Sequence, residues 1–115
     1  MAIRPGTNIA VKTPTFRYSE TVAFSRDAVG LEVLDEGSDT TKFRFGALTL
    51  WIDRVDTATH AETWLELTTD DLETATNHLV THGGHRRDEI EDLGDAGAGW
   101  MSDPGGTILL LRRSD

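Results

Sequence analysis

With 115 residues and no cysteine, the chain has length for one modest hydrophobic core, and disulfides, thiolate zinc sites, iron–sulfur clusters and cysteine nucleophiles are excluded. Its 20 acidic residues outnumber 11 basic ones, and the net charge of −9 repels phosphate backbones and anionic lipid, so neither nucleic acid nor a membrane is an expected partner. No apolar run approaches the ~20 residues of a membrane span and no segment reads as a secretory signal, which makes a soluble cytoplasmic protein the expectation.

Residues 8–13 (NIAVKT) alternate as a strand does, and Pro14 ends it because proline has no N–H for the ladder. Ser19 is placed to cap a helix over about 19–29, with Val22, Ala23, Phe24 and Val29 as its inward stripe and Gly30 as its stop. GLEVL at 30–34, TKFRF at 41–45 and ALTLWID at 47–53 read as three consecutive strands, joined by the turn-forming DEGSDT and by Gly46. RVDTATHAE, 54–62, has no periodicity and reads as a linker.

The same order then returns. TWLELT at 63–68 is a strand, and Asp70 with Glu73 three residues on spells a capping box for a helix with Leu72, Ala75 and Leu79 on its inner face. Gly83 and Gly84 stop that helix, HRRDEIEDL supplies a charged strand and its turn, and GAGWMSD and TILLLRR supply the last two strands. Each half spells β-α-β-β-β, with the opening strand recurring 56 residues later, from Asn8 to Trp64. The expected fold is α+β in a single domain: module one at 8–53, the linker at 54–62 and module two at 63–113. A ferredoxin-like β-α-β-β-α-β order, which differs by two strands, is the competing topology.

The run Ala23-Phe24 through Ser25, Arg26 and Asp27 into Gly30-Leu31-Glu32-Val33 resembles the helix-to-strand segment of the vicinal-oxygen-chelate superfamily of glyoxalases, bleomycin-resistance proteins and extradiol dioxygenases. Asp70-Asp71-Leu72-Glu73 resembles its second helix start, and Asp103-Pro104-Gly105-Gly106 before an apolar strand resembles its Asp-Pro-x-Gly turn. The resemblance implies two βαβββ modules forming a cupped mixed sheet around one cavity. In metal-bearing members of that superfamily the ligands are His or Glu on the first and last strand of each module. Carried onto this chain, those positions are Asn8, Trp51 or Thr49, Trp64 and Leu110, and a one-residue slip would substitute Ile9, Leu65 and Leu109. Divalent ions need oxygen or nitrogen donors at ~2.0–2.6 Å, which tryptophan and leucine do not offer, so no metal and no other cofactor is expected.

Because side chains alternate along a strand, the face of Asn8 also carries Ala10 and the face of Trp64 also carries Glu66. Trp51 and Trp64, with Trp100 from the neighbouring strand, would give aromatic walls suited to a planar or amphipathic organic ligand. The plainer reading makes each a core residue, since an indole buries ~150–250 Å² wherever it lies. Arg44, between Phe43 and Phe45, faces away from both and is placed either to clamp a ligand carboxylate or to lie on the outer surface. Asn8, Arg44, Trp51, Trp64, Trp100 and Leu110 are thus the candidate ligand-binding residues, and Glu66 is the candidate general base, with a solvated strand position as its alternative.

His78 and His82 stand one helical turn apart with His85 close behind, a metal-like spacing. They also lie in the last turn of a helix, where the dipole favours imidazole without any metal, and His60 is alone in the linker. No phosphate loop, dinucleotide fingerprint or nucleophile elbow is present. The leading expectation is a homodimer that sequesters or senses a small organic molecule without metal, as in the bleomycin-resistance branch. The alternatives are a metal-independent lyase or isomerase with Glu66 as base, a metal-dependent glyoxalase or dioxygenase, and a structural subunit whose cup is filled by its own side chains.

Overall fold

Parallel pairing of a first and a last strand, with a helix and an antiparallel meander between them, organises each half of the chain. The computed structural model describes residues 2–114. They fall into two compact units, the first spanning Thr7–Thr63 and the second running from Trp64 onward together with the segment up to Gly6.

The segment before Gly6 holds a short strand, β1 (Ile3–Pro5), that the sequence did not announce. Three residues ending in proline carry no readable period; β1 exists because β6 of its own unit offers an edge, with Ile3 opposite Thr69 and Pro5 opposite Leu67. Ile3 packs on that unit's core, and the Ala2 backbone N–H donates to Asp70 Oδ1 at 2.9 Å.

In the first unit β2 (Asn8–Pro14) leads into helix α1 (Thr15–Ala23), and β3 (Val33–Glu36), β4 (Thr40–Phe45) and β5 (Leu48–Val55) follow. The strand order is β3-β4-β5-β2. The helix expected over 19–29 starts four residues earlier, at Thr15, and no side chain caps it. Pro14 both ends the strand and, with φ −56° and ψ 140°, turns the chain directly into the first helical residue, so Ser19 lies inside the helix. The inward stripe is corrected as well. Tyr18 and Val22, one turn apart, are buried, while Phe24 and Val29 are 63% and 54% exposed. From Phe24 to Val29 the helix widens into a π turn, whose longer hydrogen-bond span moves the phase of the stripe, and Gly30 at φ 82° closes it.

Tyr18 and Val22 cover Phe43, Leu50 and Ile52 on one face of the sheet, with Ile9, Val11, Leu31 and Val33 packed at the margin. The Tyr18 hydroxyl donates to the Gly37 carbonyl at 2.7 Å and lies 2.8 Å from Thr41 Oγ1, which satisfies a buried polar pair. β5 runs on to Val55, opposite Pro14, so the stretch between the two units' strands is shorter than expected.

In the second unit β6 (Glu62–Thr69) leads into α2 (Leu72–Thr81), and β7 (His85–Arg86), β8 (Ala98–Ser102) and β9 (Ile108–Arg113) complete the sheet. Its order is β6-β9-β8-β7, with β1 on the other side of β6. Ala75, Met101 and Leu111 form its core, with Leu67, Leu72 and Leu79 against them. One shared core was the expectation from length; instead each βαβββ module buries one sheet face under its own helix and so has its own small cluster. The charged stretch expected as a full strand pairs only at His85 and Arg86. Beyond them Arg86–Asp88 and Arg87–Glu89 ion pairs close locally, and the segment has no apolar alternation to bury a face.

The cap of α2 also differs from the expected box. Asp71, not Asp70, is the N-cap, accepting from the Thr74 backbone N–H at 3.2 Å and from the Thr74 hydroxyl at 2.7 Å. The Thr74 hydroxyl, then its N–H, hold the Asp71 carboxyl below its ordinary range. A carboxyl depressed in the folded state adds stability above its unfolded pKa, and that contribution is lost as pH falls through the lower folded value. Asp71→Ala is therefore expected to lower the urea midpoint at pH 7 and to narrow the gap from wild type in strongly acidic buffer, with Asp71→Asn recovering the cap but not the pH dependence.

Candidate functional site

The residues singled out on the strands lie on the sheet faces away from the helices, and register decides which of them meet. In the first unit Asn8, Thr49 and Arg44 form one row across β2, β5 and β4; Ala10, Trp51 and Lys42 form the next; Lys12, Asp53 and Thr40 form the third. All nine face opposite to Phe43, Leu50 and Ile52, because alternate residues of a strand point to opposite sides. The Trp51 indole N–H donates to Asn8 Oδ1 at 2.7 Å, and the Lys42 ammonium stands 4.2 Å from the centre of the Trp51 ring. Lys12 pairs with Asp53 at 2.7 Å, the two side chains 21% and 16% exposed, and the Thr40 hydroxyl donates to Asp53 at 2.8 Å. Asn8 and Trp51 are thus brought into contact. Arg44 is on the same face but at its outer margin, where its Nε binds Glu32 at 2.6 Å.

In the second unit Glu66, Leu110 and Trp100 are successive register partners across β6, β9 and β8, with Trp64 two residues before Glu66 on the same face. The Trp64 and Trp100 rings meet edge to face, centroids 5.2 Å apart at 70°, a geometry favoured by the ring quadrupoles. Trp100 Nε1 is buried, and among the described residues it has no acceptor. Glu66 is an enclosed carboxylate, its side chain 6% exposed and 3.3 Å from Arg112 Nε. Gly6 lies directly over it, donating its N–H to the Glu66 carbonyl at 2.8 Å, and a Cβ at position 6 would overlap Glu66 Oε1, Cγ and Cδ. Gly6→Ala is accordingly expected to push Glu66 off Arg112 and cost about 1–3 kcal/mol, read from urea unfolding. Glu66 is thus enclosed beneath Gly6 and paired with Arg112.

Residues 9–111 match the glyoxalase-like domain family. This chain belongs to that family. Solved structures agree at the level of fold, all at low identity. A hypothetical protein from Bacillus halodurans is 9% identical with a TM-score of 0.66, over 100% of this chain and 96% of the other. A glyoxalase/bleomycin resistance protein/dioxygenase superfamily member from Vibrio splendidus is 12% identical with a TM-score of 0.58, over 98% and 100%. A 2,2',3-trihydroxybiphenyl 1,2-dioxygenase from Sphingomonas wittichii is 11% identical with a TM-score of 0.63, over 99% of this chain and 42% of that one. No functionally curated protein matches. The fold of this glyoxalase-like domain is that of the vicinal-oxygen-chelate superfamily, two βαβββ modules in one α+β chain.

Metal-bearing members of the superfamily raise the question whether these side chains fit a divalent ion, and the donor set does not. At the matching positions the first unit offers the neutral Asn8 amide, whose oxygen accepts from Trp51, and Thr49 or Trp51 itself. The second unit offers Trp64 and Leu110, neither of which donates a lone pair. The histidines do not supply a substitute. His78 and His82 lie with rings 4.4 Å apart, and His82 Nδ1 is 2.9 Å from the His78 carbonyl, but among the described residues no third donor joins them. His60 contacts Thr59, and His85 is on the two-residue edge strand β7. Among the described residues no three His, Asp or Glu side chains gather closely enough to hold a metal.

Two clefts of this glyoxalase-like domain escaped sequence reasoning. One of about 400 Å³ runs along the outer side of α1, past Phe16, Arg17, Phe24 and His60. Another of about 380 Å³ opens between α2 and the segment after β7, past Leu72, Arg86, Asp88 and Asp92. Both depend on segments without a periodic signal. Lys42 was missed for a different reason. TKFRF alternation does put Lys42 on the side of Arg44, but its place over Trp51 follows only from the β4–β5 register.

Proposed function

We propose that this glyoxalase-like domain is a metal-independent binding protein, which holds a planar or amphipathic organic molecule against its indoles and sequesters it without chemical change. The observation that carries the reading is the Trp51–Asn8 hydrogen bond: a family metal position is held by a neutral amide already committed to an indole. Indoles offer large flat apolar contact at little conformational cost, and the Trp64–Trp100 pair presents two more on the corresponding face of the second unit. The lyase or isomerase alternative lacks a base with room to act, since Glu66 is enclosed and held by Arg112. A homodimer is the expected working form, because open sheet edges and a shallow sheet face are both covered by a symmetric partner. No helix among the described residues is long and apolar enough to cross a membrane.

Tryptophan fluorescence tests the proposal during titration with planar amphipathic compounds, bleomycin-type drugs among them, with and without added divalent metal. Saturable quenching that is the same in chelator is the expected result. Quenching that requires metal, or turnover of any compound in the panel, would overturn it.

A further inference from the structure

Three basic side chains stand on the helix-free face of the first unit, and two are neutralised there: Lys12 by Asp53 and Arg44 by Glu32. Lys42 is not. Among the described residues no carboxylate is within ion-pairing distance of its ammonium, which rests on the Trp51 ring. Lys12 and Lys42 are the only lysines of the sequence, and in a chain of net charge −9 carboxylates are plentiful. On the other flank of Trp51 in the same row, Ala10 presents only a methyl group.

We propose that the molecule held on this face is a planar organic anion, its ring lying against Trp51 and its carboxylate or equivalent acid group met by the Lys42 ammonium. This rests on the binding role proposed above and names the ligand class. A cation over an aromatic face at a partly exposed site is held weakly, whereas a charge-assisted hydrogen bond to a carboxylate is among the stronger polar contacts. A ligand acid group drawing Lys42 off the indole uncovers the ring that the ligand stacks on. The chain's overall negative charge does not forbid this, because charges beyond about 8–10 Å are largely screened at physiological salt and the local ammonium decides.

The test uses the whole chain and a matched pair of probes, 2-naphthoate and its neutral amide, titrated by tryptophan fluorescence in chelator. Wild type is expected to bind the acid about tenfold more tightly than the amide, the size expected of one charge-assisted contact, and the preference should shrink with added salt. Lys42→Met keeps the aliphatic stem over the indole and should erase the preference while leaving amide affinity within about twofold; Lys42→Arg should retain it. Lys42→Gln repeats the measurement should the methionine variant unfold. Equal binding of acid and amide by wild type overturns the anion class and leaves the binding role standing. So does a preference that survives in both Lys42→Met and Lys42→Gln, or one that disappears in Arg44→Met instead. Failure of wild type to bind either probe counts against the anion class, and failure across the whole panel as well removes the binding role with it.

Discussion

Phe43→Ala is expected to destabilise the protein by about 3–5 kcal/mol, a large part of the ~5–15 kcal/mol that holds a typical domain folded. Phe43 is fully buried on β4, between β3 and β5, where it meets Tyr18, Leu50 and Ile52 under α1. Truncation there removes the transfer free energy of a benzyl group and leaves a cavity that neighbours on three strands and a helix cannot close without moving backbone. Urea unfolding followed by circular dichroism measures it. A loss under ~1 kcal/mol would mean the site collapses freely, in contradiction to a core of interlocked side chains. Phe24→Ala, on the neighbouring segment but 63% exposed, should by contrast change the midpoint little.

The second large effect is on binding. Trp64→Ala is expected to weaken a planar ligand held on the helix-free face of the second unit by tenfold or more while costing only ~1–2 kcal/mol of stability. Trp64 is half-buried, and its edge-to-face contact with Trp100 adds only ~0.5–1.5 kcal/mol beyond the area it covers. Fluorescence of the remaining two tryptophans follows binding, and urea unfolding in the same buffer follows stability. A loss of ~3–5 kcal/mol with unchanged affinity would assign Trp64 to the core and leave binding to the first unit.

Most of the architecture was legible because it is local. The apolar runs in ALTLWID and TILLLRR, the acidic pair before Leu72 and the glycines at 83 and 84 each act within a few residues, and their order repeats. The errors sit where a tertiary partner outweighed the local signal. Ser19 looked like a cap, yet Pro14 had already turned the chain, and the Thr15 hydroxyl binds Asp56 at the new helix start. Asp70 looked like the cap of α2, yet its carboxylate is claimed by the Ala2 N–H and the cap falls to Asp71.

The candidate site divides in the same way. By itself the sequence determined which residues share a face of each strand, from residue type and a period of two, while the resemblance to the superfamily implied that its metal positions carry an amide, an indole or a hydroxyl, a second indole and an aliphatic chain in place of imidazole or carboxylate. Only the tertiary structure decided that Trp51 bonds Asn8, that Lys42 lies over Trp51, that Trp64 meets Trp100 and that Glu66 is enclosed by Gly6 and paired with Arg112. Each of those contacts joins different strands or separate segments, and register between strands is fixed by pairing across the sheet, which no local pattern encodes.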